Sequence, residues 1–142
     1  MDLFDLADWL DDIAKDSRKE IENAVEKGAM IICNEAKARC PVDTGALRNS
    51  IHTDVAWESN TCVGIIGTNL QYSPYIEYGT GIYNVNGNGR QTPWVYKSPK
   101  DGKFYHTHGM MAQPFMFPAL YAKKDIAFEY ITSEITRRLF GL

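Results

Sequence analysis

The chain has 142 residues, 44% hydrophobic and 23% charged, with a formal net charge of −3, which is one domain's worth of ordinary globular composition. No global basic field draws it to nucleic acid or an anionic membrane. No apolar run approaches the ~20 residues of a membrane span, and the acidic start Met1-Asp2-Leu3-Phe4-Asp5 is unlike a signal peptide, so function without secretion through one is expected.

Residues 2–15 read as a short acidic amphipathic helix. Leu3, Leu6, Ala7, Leu10 and Ile13 share one face, while Asp5, Asp8, Asp11 and Asp12 face outward. It is either an ordinary surface helix or a detachable arm, residues 1–16, that docks on a neighbouring copy. The α+β core of this single domain then runs over 17–142. Residues 17–40 form the main helix, with Ser17 as N-cap and Glu20 completing a capping box. Ile21, Val25, Ala29, Ile32 and Ala36 make its apolar face, and Pro41 stops it.

The period then changes. Ile51, Thr53, Val55 and Trp57 alternate with polar or small residues, Glu58-Ser59-Asn60 is turn-like, and Thr61–Thr68 is a second strand; together they make a β-hairpin. Tyr72–Tyr78 is one helical turn closed by Gly79 in a left-handed cap. Gly81–Pro93 is a long Gly/Asn-rich loop with little to bury. Trp94-Val95-Tyr96 and Lys103–His106 flank Pro99-Lys100-Asp101-Gly102, a second hairpin. Pro118 sits in the first turn of a last helix, in which Leu120, Ala127, Ile131, Ile135 and Leu139 share a face. The fold class is α+β: a small antiparallel sheet packed against two long α-helices, N- and C-terminal.

Three cysteines, Cys33, Cys40 and Cys62, have no C-x-x-C spacing. Cys33 and Cys40 lie two turns apart on one helix, too far to bridge, so all three read as reduced thiols packing as small apolar groups.

Asp43-Thr44-Gly45-Ala46 has the tripeptide of aspartic proteases, whose two such loops pair carboxylates around one proton. Gly64–Asn69 resembles the strand that braces that loop in retroviral-type proteases. Two facts oppose the enzyme. A helix, not a strand, runs into Pro41, and the residues between Asp43 and Gly67 are too few for a substrate-covering flap. The structural reading needs less: Asp43 or Thr44 caps a turn, Gly45 relaxes the backbone, and Leu47 and Ile51 pack inward.

Among His52, His106 and His108, the His106-x-His108 pair projects to one side of a strand. A zinc site needs about four ligands, so solvated or hydrogen-bonded histidines are the simpler reading. Gly79-Thr80-Gly81 lacks the lysine and helix of a nucleotide site, and Asn86–Arg90 is read as a loop tip; no cofactor or metal is expected. Tyrosines and tryptophans gather around the loops, which fits a protein interface. Trp9, Tyr83, Trp94 and Tyr96 are its candidate residues.

Three segments stand in order: Pro41-Val42-Asp43-Thr44-Gly45-Ala46-Leu47-Arg48-Asn49-Ser50-Ile51, Tyr75-Ile76-Glu77-Tyr78-Gly79-Thr80 and Ala112-Gln113-Pro114-Phe115-Met116-Phe117-Pro118-Ala119-Leu120. This order resembles the "gp-ten-like" family of tail components from long-tailed, lambdoid-type bacteriophages and prophages. The resemblance implies a non-enzymatic virion protein of the neck or upper tail, made in the bacterial cytoplasm and acting as a symmetric ring in head–tail joining or tail completion. Its implied partners are further copies of itself and connector, stopper, tail-terminator or tail-tube proteins. DNA is implied only as passing cargo, and the chain's acidic balance suits a channel to which phosphate does not stick.

By the same resemblance, Pro41, Asp43, Thr44, Gly45, Leu47, Arg48 and Ser50 shape the helix-to-hairpin junction. Tyr75, Glu77, Tyr78, Gly79 and Thr80 shape the central turn, and Pro114, Phe115, Pro118 and Ala119 launch the last helix. Glu77 and Arg48 are expected to pair within or between subunits. The loop 81–93 lies outside the family pattern. Two alternatives remain: a dimeric aspartic-protease-like hydrolase using Asp43, and a host-derived protein-binding module such as a toxin–antitoxin or adaptor component.

Overall fold

The computed structural model describes residues 3–43 and 45–141. Its first element is one helix, α1, Leu3–Arg39 (37 residues), where the sequence suggested two. Ser17 does not cap a new helix. No glycine or proline interrupts residues 3–27, so each added residue gains a hydrogen bond without a new nucleation step. Glu20, expected in the capping box, instead accepts a 2.7 Å bond from Arg138. The helix ends where Pro41 restricts Cys40, whose amide still reaches the Ala36 carbonyl at 2.9 Å.

A five-residue helix unforeseen in the sequence, α2 (Ala46–Ser50), leads into β1 (His52–Glu58) and β2 (Thr61–Gly67). These strands pair antiparallel in a register that sets Val55 against Gly64 and Trp57 against Cys62. The hairpin lies along α1: Trp57 Nε1 donates to Glu22 at 2.6 Å, and the Arg18 guanidinium sits 4.6 Å from the Trp57 ring centre. α3 spans Ser73–Tyr78, a 3₁₀ turn takes Gly81–Tyr83, and β3 (Trp94–Lys97) and β4 (Phe104–Thr107) form the second hairpin. α4, Met116–Phe140, closes the chain.

The α+β class is as expected, with two long terminal helices. The strands make two separate two-stranded sheets rather than one.

α1 and α4 run antiparallel. Glu20 meets Arg138, Gly28 lies under Ile131, and Ala36 shares a core with Ala119. The approach is close because the facing residues are small: a Cβ on Gly28 would fall 2.4 Å from Ile131 Cγ1. The core itself sits at one end, where Cys33 and Ala36 of α1 and Cys40 just beyond it meet Leu47, Ile51 and Phe115. Phe115 and Ile51 are its largest fully buried side chains.

Replacing Ile51 with alanine removes a large apolar group from a site with no room to collapse. We expect about 2–5 kcal/mol of destabilisation, read from the midpoint of urea unfolding at unchanged slope.

Candidate functional site

The junction after α1 turns the chain twice in a few residues. Gly45 occupies the N-cap of α2 with φ 83°, a left-handed conformation that any side chain would strain. Leu47 then points into the core beside Ile51, as expected. Ser50 fastens the exit: its hydroxyl donates to the Leu47 carbonyl at 2.6 Å and shares a 2.5 Å bond with Thr68 at the end of β2. Asp43 does not cap the turn. Its carboxylate pairs with Lys100 at 2.8 Å, both side chains about two-thirds exposed, in the turn between β3 and β4. Thr44 lies outside the described residues. Arg48 is exposed.

Glu77 is the buried charge among the described residues, at 6% exposure. Within the chain it does not pair with Arg48. One carboxylate oxygen accepts the amides of Phe115 at 2.8 Å and Met116 at 3.0 Å, and the other accepts that of Phe117 at 3.1 Å. These are donors with no partner inside the helix at the start of α4, where the helix dipole also favours negative charge. Pro118 has no amide to satisfy, and Ala119 already bonds the Phe115 carbonyl at 3.4 Å. The first turn of α4 is thus fully accounted for by one side chain from α3.

The two segments meet along a seam. Gln113 donates to Ile76 O, Thr80 to Met110 O and Ile82 to His108 O, at 2.8, 2.9 and 3.1 Å, and Met110 donates back to Thr80 Oγ1 at 2.8 Å. A Cβ on Gly81 would fall 2.0 Å from the His108 carbonyl oxygen, so only glycine fits. Gly79 ends α3 with φ 81° and ψ 173°, a positive φ but not the left-handed helical cap expected. The 81–93 segment begins as the 3₁₀ turn, and Asn84 ties it down by donating to Gly79 O at 3.1 Å.

Between junction and seam lies an open cleft of about 550 Å³, lined by Val42, Asp43, Leu47, Tyr72, Ile76 and Met110. Asp43 enters it as one exposed carboxylate held by a lysine, and no second carboxylate stands among the lining residues. The His106 and His108 rings stack edge to face at 5.6 Å, and among the described residues no three His, Cys, Asp or Glu side chains gather around one point. Burial pushes the thiols of Cys33, Cys40 and Cys62 above their ordinary pKa, Cys33 and Cys40 against nearby Lys37 and Arg48 and Cys62 together with Glu22. Among the described helices none is long and apolar enough to cross a membrane.

Comparison with known families finds a match over residues 4–79 to the family described as "Bacteriophage HK97-gp10, putative tail-component". That span is more than half of the chain. The chain belongs to the HK97-gp10-like family. Searches of curated proteins and of solved structures give no match.

The family match covers α1, the junction, the first hairpin and α3, and ends at Gly79. The residues singled out by the sequence order fall into two groups, with Thr80, Pro114, Phe115, Pro118 and Ala119 beyond the matched span. Gly45, Leu47, Ser50, Glu77, Gly79, Thr80, Phe115 and Ala119 build the fold, while Asp43, Arg48, Tyr75 and Pro114 face solvent. Pro41 and Pro118 are half-buried at the two helix ends, and Tyr78 packs on Phe117 with ring centres 6.1 Å apart. Of the four candidate interface residues, Trp9, Tyr83 and Tyr96 are exposed, and Trp94 lies half-buried under Arg90. Sequence reading missed Lys100 and Thr68, whose partners stand far away in the chain and leave no local pattern.

Glu77→Gln keeps one acceptor oxygen but loses the charge and places an amide group among donors. We expect a loss of about 2 kcal/mol, and a larger one for Glu77→Ala, which leaves three buried amides unpaired. Chemical denaturation in the order wild type, Gln, Ala checks this; equal stability of all three would contradict the clamp.

Proposed function

We propose that this phage tail-component protein is a ring-forming subunit of the neck or upper tail that acts in head–tail joining or tail completion. Family membership supports a structural virion role. The observation that carries the finer reading is the β3–β4 hairpin. A two-stranded hairpin is marginal alone, yet this one shows solvent nearly every residue on both faces, including Val95, Tyr96, Phe104 and Tyr105. Phe104 is 71% exposed. The Lys100–Asp43 ion pair ties its tip to the junction. The hairpin's turn is closed by backbone bonds from Ser98 to Lys103 at 2.8 Å and from Gly102 to Ser98 at 2.9 Å, and Tyr105 donates to Asp101 within the hairpin, which holds the Asp101 carboxyl below its usual range. An ordered apolar hairpin standing in water is a surface prepared for a protein neighbour.

In such a ring the neighbours are further copies and the connector, stopper, tail-terminator or tail-tube proteins above and below. DNA passes through without a specific site, in keeping with the net negative charge. The protein then acts by assembly, without a catalytic step.

Electron microscopy of lysates from a phage or prophage with this gene deleted tests the reading. Filled heads beside unattached or abnormal-length tails are expected, and tail length separates joining from completion. Complementation with Phe104→Asp, which disturbs no buried contact, should fail in the same way while the purified variant keeps the wild-type unfolding midpoint. Normal infectious particles from the deletion would refute a structural role.

A further inference from the structure

Every residue from Asp5 to Asp16 is exposed, so the first turns of α1, about 20 Å of helix, form a free-standing arm. Its surface is not uniformly polar. Leu6, Trp9, Leu10 and Ile13 recur at helical spacing along one side, and Trp9 is 52% exposed. The arm is also where the acid lies. Residues 1–16 hold six of the eighteen acidic residues and one of the fifteen basic ones, a net −5, which leaves +2 on residues 17–142.

The body carries a groove of complementary character. It runs between α4 and β2 over a floor made by Gly28 and Ala29 of α1, with Cys62 on one wall and Phe128, 73% exposed, on the other. Its volume is about 310 Å³, and past Leu120 it continues into a hollow of about 220 Å³ beside Phe117. From Phe117 to Phe128 the α4 wall is about 16 Å long, and the arm's apolar stripe from Leu6 to Ile13 is about 10 Å. Lys124 is the one charged side chain lining either part, so the groove offers apolar surface and a cation to an acidic amphipathic helix.

The arm cannot enter the groove of its own chain. Val25 lines the groove and Ile13 lies upstream on the same helix, about 18 Å away, with no glycine or proline between them to allow a fold-back. We propose that the arm of one subunit lies in the α4–β2 groove of a second copy, apolar stripe inward and carboxylates beside Lys124. The contact is head to tail: each copy gives one arm and receives one, the geometry that closes a ring by rotation. This rests on the ring reading above and names its interface.

Cys62 makes the test direct, because it is the groove's own thiol. Leu6→Cys, Trp9→Cys, Leu10→Cys and Ile13→Cys, each in the full-length chain, are oxidised both as purified protein and within assembled particles. At least one should give a ladder of cross-linked copies on a non-reducing gel. Cys62→Ser should remove that ladder, and Phe128→Asp should cut its yield about tenfold or more. Assemblies seen by sedimentation or microscopy with no Cys62-dependent ladder in any variant would overturn arm docking and leave the ring reading standing. Absence of both ladder and ring would overturn the two together, and an arm cross-linked to a different virion protein would give the groove to another partner and overturn the proposal.

Discussion

A carboxylate from a six-residue helix holds the start of the longest packing partner of α1. Glu77 takes the three free amides at the head of α4, and Pro118 removes the fourth from the account. Buried donors without partners cost free energy comparable to lost hydrogen bonds, so α4 can begin inside the protein only because this side chain is there. Phe115 follows from it. Its amide is one of the three, and its ring is carried into the core against Leu47 and Ile51. The clamp therefore fixes the position of α4 along α1, and with it the groove that α4 and β2 enclose.

The elements were legible in the sequence because their periods are local. The alternation from Ile51 to Trp57, the Pro99–Gly102 turn and the stripe of α4 each declare themselves within one window, and the helix–hairpin–hairpin–helix order follows. Three things were not legible. The unbroken α1 was hidden by a capping box at Ser17 and Glu20 that tertiary contact overrides, since Glu20 is taken by Arg138. The buried face of α1 uses Ala24, Gly28, Cys33 and Ala36, whose small size gives weak hydropathy but permits close helix packing. Glu77 reads as an ordinary surface acid, because its partners lie almost forty positions later in the chain. The order of the three segments singled it out but did not point to these amides.

The distribution of apolar surface separates folding from assembly in this protein. The core is small and made largely of alanine, cysteine and a few large residues at one end. Large apolar side chains stand instead on the arm, on α4 and on the second hairpin. Scattered exposed hydrophobics are normal, and others stand on β2 and the loops, but on the arm Leu6, Trp9, Leu10 and Ile13 recur along one side of an ordered helix. In the proposed ring, neighbours that cover these surfaces would add stability the single chain does not have.

The arm's own sequence sets how that coupling works. Asp8 and Asp12 are like charges at i, i+4, and Asp5 and Asp8 at i, i+3, pairs that weaken an isolated helix by a few tenths of a kcal/mol each. A segment of this length is marginal in water even with favourable composition. It is sustained at one end, where Arg18, Glu20 and Glu22 anchor α1 to β1 and α4, and by Asp5 near the positive end of the helix dipole. Repulsion between acidic arms also opposes arm-to-arm association, which is the contact that the apolar stripe would otherwise favour. A groove that supplies apolar surface and Lys124 reverses both terms at once: it covers the stripe and draws in the charge. On the proposed docking, the acid that makes the arm a poor partner for another arm makes it a selective one for the body of a second copy.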